Sequence, residues 1–222
     1  MQTPQVHARA RVLYWDRISR TDIPHGWRRE RRPWRVDGIR TLVAHEDYTQ
    51  TWKKDAQRNV RLWRQQCLSG EYRIDYVPYS VFKEAYKRSI VYKKVETFYT
   101  DAFERRPHHP DRETVACLVH HTPSNAYIAG TIMHFFNKRS ASVRECSFMT
   151  DTTTRTLAPT GLMDIWHSEA QKRGIETLYF IYLWQPGDPK SWKAYSDFKE
   201  RFGITRVAYP PRLKRFVWGK LW

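Results

Sequence analysis

Two long apolar runs separated by a short turn constrain this 222-residue chain more than any other feature. ETVACLVHH (113–121) and AYIAGTIMHFF (126–136) flank TPSN, whose Pro, Ser and Asn are turn formers. The two runs therefore read as an antiparallel hairpin. ASVRECSFMT (141–150) supplies a third adjacent strand.

The flanking segments alternate between strand and helix patterns. RVLYWDRI (11–18) and VDGIRTLVAHE (36–46) read as short strands around a basic, turn-rich stretch. WKKDAQRNVRLWRQQCL, from Trp52 to Leu68, is helical. Trp52, Ala56, Val60, Trp63 and Cys67 share one side of it, while Lys54, Arg58, Arg61 and Arg64 occupy much of the other. EYRIDYV (71–77) alternates as a strand, and Ser80 is placed to cap a helix over 81–94. PTGLMDIWHSEAQKRG (159–174) is a helix with basic residues before its Gly stop, and IETLYFIYLW (175–184) follows as a buried strand. TRVAYP and RFVWGKLW predict a final strand or pair. This order excludes a doubly wound design, which needs regular strand–helix alternation from the start. It predicts a mixed, mostly antiparallel sheet with helices packed on it, on the border of the α+β and α/β classes. The first fifty residues form a basic segment with one or two strands, part of the same domain as the module over 51–222.

SWKAYSDFKERFG (191–203) is an amphipathic helix with an anomaly. Asp188 and Pro189 are suited to its N-cap and first position, and Gly203 to its end. At about 100° per residue, Trp192, Tyr195, Phe198 and Phe202 fall on one side. Lys193, Asp197, Glu200 and Arg201 fall on the other. Lys199 lies inside the aromatic stripe, on the face expected to be buried. A lysine there either snorkels, its stem covering apolar surface, or its charge has a task.

Thirty-nine Lys and Arg against 23 Asp and Glu leave a formal charge of +16, which favours polyanionic partners, nucleic acid first. The Lys54, Arg58, Arg61, Arg64 face suits phosphate positioning rather than base readout, although charged helix faces are most often simply solvated. Arg28, Arg29, Arg31 and Arg32, interleaved with Trp27 and Trp34, form a second basic surface. Cys67, Cys117 and Cys146 are widely spaced, which argues against a disulfide framework or a zinc site and for a reducing compartment. His108, His109, His120, His121 and His134 show no metal-ligand spacing, so no metal is expected. A general base among them competes with plain structural roles. No stretch approaches the roughly twenty apolar residues of a membrane span, and no signal peptide is evident. The expectation is a soluble, cytoplasmic protein without integral membrane contact.

KKDAQRNVRLW, YRIDYVPYSVFKEAYKRSI, the hairpin VACLVHHTPSNAYIAGTIMHF, GLMDIWHSEAQKRGIETLYF and YSDFKERFG occur in that order over roughly residues 50 to 205. The succession resembles the C-terminal half of the Fem-type, tRNA-dependent aminoacyltransferases, which belong to the broad GNAT-like fold. Members of that family carry two such modules and a coiled-coil arm, whereas this chain has length for one module. The resemblance implies transfer of an aminoacyl group from aminoacyl-tRNA to an acceptor amine, a peptidoglycan precursor or a peptide natural product, with no cofactor. It makes Phe198 and Lys199 the catalytic pair, the lysine stabilising the oxyanion. Lys54, Arg58, Arg61, Arg64, Lys93, Trp192 and Tyr195 are the candidates for substrate or tRNA binding. A CoA-dependent N-acyltransferase is the rival enzyme, and a non-catalytic tRNA-binding module the rival of another kind. RTLAPTG (155–161) lacks the paired glycines of a pyrophosphate loop, and Pro159 removes one amide donor, which disfavours CoA.

Overall fold

The computed structural model describes residues 9–15, 23, 25–30, 33, 35–89, 111–150, 157–211 and 213–219. In chain order its elements are β1 (Arg9–Trp15), β2 (Arg28–Arg29), β3 (Val36–Thr41), α1 (Lys54–Leu68), β4 (Tyr72–Tyr76) and α2 (Tyr79–Lys87). Then come β5 (Arg112–His121), β6 (Ala126–Phe136), β7 (Ala141–Met149) and α3 (Ala158–Lys172). The chain continues with β8 (Thr177–Phe180), α4 (Lys193–Lys199), β9 (Thr205–Ala208) and β10 (Leu213–Gly219).

The main sheet has the order β4-β5-β6-β7-β8-β3-β9, and β10 lies between β1 and β2 in a second, three-stranded sheet. The hairpin expected from TPSN is present: His121 pairs with Ala126, and Asn125 closes the turn at φ 47°. Asparagine tolerates that left-handed conformation better than most residues. Within the main sheet β7 and β8 are parallel, while the other neighbouring pairs are antiparallel. A parallel pair needs a crossover, and α3 is that crossover. The sheet is thus mixed and mostly antiparallel with helices on it, as the order of segments implies.

Both faces of the sheet are covered, so β6 reads as an almost continuous apolar run. On one face Cys117, Val119, Ala129, Met133 and Phe135 meet α1 and α3. On the other, Leu118, Ile132 and Phe148 meet Phe82 and Tyr86 of α2. Helix α1 buries Ala56, Val60 and Trp63, the stripe expected from its spacing.

Several boundaries differ from the sequence reading. Helix α2 starts at Tyr79 behind Pro78 and ends at Lys87, so Ser80 lies in its first turn and does not cap it. The segment after it, including Lys93, lies outside the described residues. Strand β8 stops at Phe180, well short of Trp184. The last two segments do not pair with each other: β9 joins β3, while β10 joins β1 and β2.

Helices α1 and α3 approach closely at one point. A Cβ added at Gly161 would overlap the benzo ring of Trp63, itself almost fully buried. The glycine of PTG therefore serves helix packing. Gly161→Ala should destabilise the fold by about 1–3 kcal/mol, although Ala is the better helix former. A double-mutant cycle with Trp63→Leu in denaturant unfolding should recover much of that loss, and strict additivity would rule out the close approach as its cause.

Candidate active site

The parallel pairing of β7 and β8 covers only Ala141–Val143 against Thr177–Tyr179, after which the two strands part. A bulge at Glu145, where Met133 pairs Arg144 but Ile132 pairs Cys146, sits just past that point. Bulges bend a strand and break its register, which suits a strand leaving its neighbour.

β8 stays paired with β3 as far as Phe180, after which regular pairing ends and the Leu183 N–H still reaches the Val36 carbonyl at 2.7 Å. Buried peptide groups must still be paired, and side chains from two other elements pair them. Asp37 Oδ1 on β3 accepts the Tyr182 N–H at 2.9 Å, and Ser196 Oγ accepts the Trp184 N–H at 2.6 Å. Lys199 Nζ donates to the carbonyls of Ile181 and, at 3.1 Å, Tyr182. Tyr182 sits at φ 56°, a conformation that costs a non-glycine residue energy and persists only where its surroundings hold it.

This explains the lysine in the aromatic stripe. Residues 190–202 form a 3-10 turn, then α4, then a second 3-10 turn, and Gly203 ends the segment at φ 66°. Pro189 stands at the cap of the first turn rather than inside a helix, and Asp188 Oδ2 accepts the Gln185 N–H. The buried side is Ser196, Lys199 and Phe202, with Phe198 half-buried against the core. Trp192 and Tyr195, expected inside, are 55% and 52% exposed. The helix is rotated from its apolar wheel because the end of β8 needs a donor and an acceptor, which Lys199 and Ser196 possess and the aromatic residues lack. Lys199 is 6% exposed, so it does not snorkel.

An ammonium has three donors; two are spent on carbonyls and one N–H remains. Nζ also lies 4.4 Å from the centre of the Tyr195 ring, within cation–π range. Burial above all, then the nearby Arg144 guanidinium, pushes the lysine down to about 7, against the pull of Asp37. Asp37 is fully buried and held by both arms of Arg35, whose guanidinium lies over Tyr182 and Tyr209. Beside that corner a cavity of about 110 Å³ is lined by Arg35, Tyr182, Gln185 and Trp192 among others.

The other site residues divide. Phe198 packs edge-on against Phe202 at 5.0 Å, and Phe202 against Trp52 at 4.8 Å, which fixes the turn that follows Lys199. Lys54, Arg58 and Arg61 are exposed on α1. The start of α1 is tied to the same turn: the Lys53 N–H donates to the Arg201 carbonyl, and Arg201 pairs with Asp55 at 3.0 Å. Arg64, read as the fourth phosphate ligand, is engaged elsewhere. It grips Asp164 on α3 with two nitrogens and the Tyr48 hydroxyl with one, so it clamps α1 to α3. Arg31, Arg32, Trp34, His108, His109 and Arg155 lie outside the described residues, as does Lys93.

None of the described histidines considered above faces Lys199. His120 and His121 bond Asn125 and Ser124 at the hairpin turn, and His134 bonds Thr114. His134 pairs with Val143, next to Arg144, so alternation puts it on the opposite face of the sheet from Arg144. Sequence reasoning missed Arg144 and His167. The latter is fully buried on α3, its Nδ1 donating to the Met163 carbonyl at 2.7 Å. Trp52, Tyr48, Trp166 and Phe180 surround it, and burial drives its pKa down to about 3.

Compared with solved structures, the chain superposes on FemX with a TM-score of 0.62 over 86% of its own length and 66% of that chain, at 10% identity. The fold is Fem-like and GNAT-like. At that identity the likeness is one of fold. The same GNAT-type architecture appears in the C-terminal domain of a putative lysylphosphatidylglycerol synthetase from Agrobacterium fabrum (TM-score 0.55, 11% identity, 86% of this chain and 62% of that one). It also appears in a tandem GNAT protein from the clavulanic acid biosynthesis pathway (TM-score 0.54, 10% identity, 93% and 63%). This chain thus spans just under two thirds of the length of these GNAT-fold neighbours. No protein-family profile matches the sequence, and no curated protein matches it.

His167 links this region to pH. Folded, the ring stays neutral down to about 3; unfolded, it takes a proton near its ordinary 6.5. The unfolded state binds more protons between those values, so stability falls as pH falls, by up to about 1.4 kcal/mol per pH unit. Urea unfolding from pH 7 to 4 should show a shallower loss for His167→Phe than for the wild type. Parallel curves would exclude the histidine as the source.

Proposed function

We propose that this protein is an acyltransferase that moves the aminoacyl group of an aminoacyl-tRNA onto an acceptor amine and forms an amide. The acceptor is a peptidoglycan precursor or a peptide natural product, and the reaction takes place in the cytoplasm, where charged tRNA is found. One observation carries the reading: a buried lysine beside a strand fork, with two donors fixed on carbonyls and one N–H left over.

The acceptor nitrogen attacks the ester carbonyl and the C=O electrons move onto oxygen. The tetrahedral intermediate then collapses, the C–O bond to the ribose breaks, and the ribose hydroxyl leaves with the proton the amine has lost. Charge grows on the carbonyl oxygen, and the third N–H of Lys199 is the donor held ready for it. Its carbonyl partners and Tyr195 keep the ammonium in place, so little reorganisation is needed as the charge develops. The ester is already activated, so the reaction requires no ATP. Lys54, Arg58 and Arg61 would take tRNA phosphates along α1, whose first turn adjoins the turn after Lys199. Arg64 is left out of that stripe.

A CoA donor fits less well. Helix α3 begins at Ala158 with Pro159 in its first turn, which withholds an amide there, and Gly161 is occupied by packing against Trp63.

The charge on Lys199 supplies the test. If the ammonium stabilises the oxyanion, the rate must fall as pH rises through about 7, because the protonated form is lost there. Single-turnover amide formation with hydroxylamine, an acceptor already neutral in that range, isolates this limb. Lys199→Met should lower the rate by roughly a hundredfold or more and should abolish the limb. It also strands two carbonyls, so a loss of stability is expected alongside, and rates should be taken well below the variant's melting temperature. A wild-type rate that stays level or climbs through pH 7 would leave the lysine a purely structural role.

The basic helix makes a separate expectation. Replacing Lys54, Arg58 and Arg61 by Ala should leave stability nearly unchanged and weaken tRNA binding. The slope of log affinity against log salt should drop by about one unit per lost contact. An unaltered slope in filter-binding titrations would remove α1 from the tRNA path.

A further inference from the structure

Arg144 is the first residue of β7 beyond its last pair with β8, so it stands at the crotch of the fork. Its Nη2 lies 3.5 Å from the Tyr195 hydroxyl, and its guanidinium 5.9 Å from the centre of the Trp166 ring. No carboxylate among the described side chains pairs with it. Tyr195 therefore separates two cations, Arg144 at its hydroxyl end and Lys199 over its ring face. Among the described side chains, the charged groups around this point are Arg144, Lys199, Arg35 and Asp37. The one acid among them is already held by Arg35 and the Tyr182 N–H. The described side chains of the fork thus carry an excess of positive charge, which an anionic ligand can neutralise.

We propose that Arg144, together with the Tyr195 hydroxyl, binds the phosphate on the 5′ side of the donor's terminal nucleotide. Lys199 then faces the ester carbonyl on the 3′ side of the same ribose. This rests on the aminoacyl-tRNA reading above and deepens it. The chemistry fits: a planar guanidinium matches the two non-bridging oxygens of a phosphodiester, and the tyrosine hydroxyl can donate to one of them as well. The geometry fits as well, since an aminoacylated nucleotide presents one fixed anion and one developing anion a ribose apart, as Tyr195 presents two cations a ring apart. The exposed Trp192 and Tyr195 would line the donor's path.

The experiment is a calorimetric titration of wild type, Arg144→Gln and Arg144→Lys with 5′-AMP, adenosine and inorganic phosphate. Circular dichroism confirms that each variant is folded. Wild type should bind AMP roughly ten- to a hundredfold more tightly than adenosine, the range for hydrogen bonds to a charged group. Arg144→Gln should erase that preference without weakening adenosine, and Arg144→Lys should restore part of it. Inorganic phosphate alone should bind far more weakly than AMP.

Equal binding of AMP and adenosine, no binding of either, or a preference that survives Arg144→Gln would overturn the proposal. Phosphate binding as tight as AMP would overturn it in favour of a free-phosphate site. None of these readouts needs turnover. A protein that prefers AMP through Arg144 yet transfers no aminoacyl group would retain the phosphate subsite and lose the proposed reaction. In a transferring enzyme, an aminoacyl ester of AMP should outperform the same ester of adenosine, and Arg144→Gln should level the two.

Discussion

The end of β8 is the place on which the rest of the site depends. Past Phe180 the chain departs from regular pairing, and a polar backbone group left there without a partner in a buried setting would cost about 1–3 kcal/mol. Three side chains from elements far apart in sequence meet that demand: Asp37 on β3, and Ser196 and Lys199 on α4. They also hold Tyr182 in its left-handed conformation. On the β8 side of the fork, backbone groups are thus satisfied by side chains rather than by β7.

The same arrangement sets the charge state of Lys199. A buried ammonium is costly unless hydrogen-bonded, and here two carbonyls and an aromatic face offset the loss of water. Arg144 pushes the proton off while Asp37 holds it on. Burial is the larger cause, and the lysine is pushed down to about 7.

Rigidity comes from the layer beneath. Trp63 against Gly161 sets the distance between α1 and α3, and Arg64 with Asp164 and Tyr48 sets their register. Trp52 then meets His167 and Phe202, so the turn after Lys199 rests on the same aromatic cluster. Arg40 adds a hydrogen bond to the Gly203 carbonyl at 3.1 Å, and the Gly203 Cα faces Thr51 where a side chain would not fit. Lys199 is therefore positioned from below by α1, α3 and β3, and from the side by β8.

The sequence by itself determined the hairpin, the buried stripe of α1, the span of α3 and the Gly203 stop. Each follows from local periodicity or from a residue's own conformational range. It also singled out Lys199 as a charge on the wrong side of a wheel. What it could not determine was which side of residues 191–203 faces inward. A wheel ranks residues by their preference for leaving water, while the packed chain ranked them by hydrogen-bonding capacity at a strand end contributed by another segment. Arg64 looked like its neighbours because its partner Asp164 lies a hundred residues away in sequence. Arg144 looked like an ordinary strand cation. Its place at the fork exists only because α3 returns the chain parallel to β7, and β8 then departs after three paired residues. Those are long-range decisions, made by what must be paired once water is excluded.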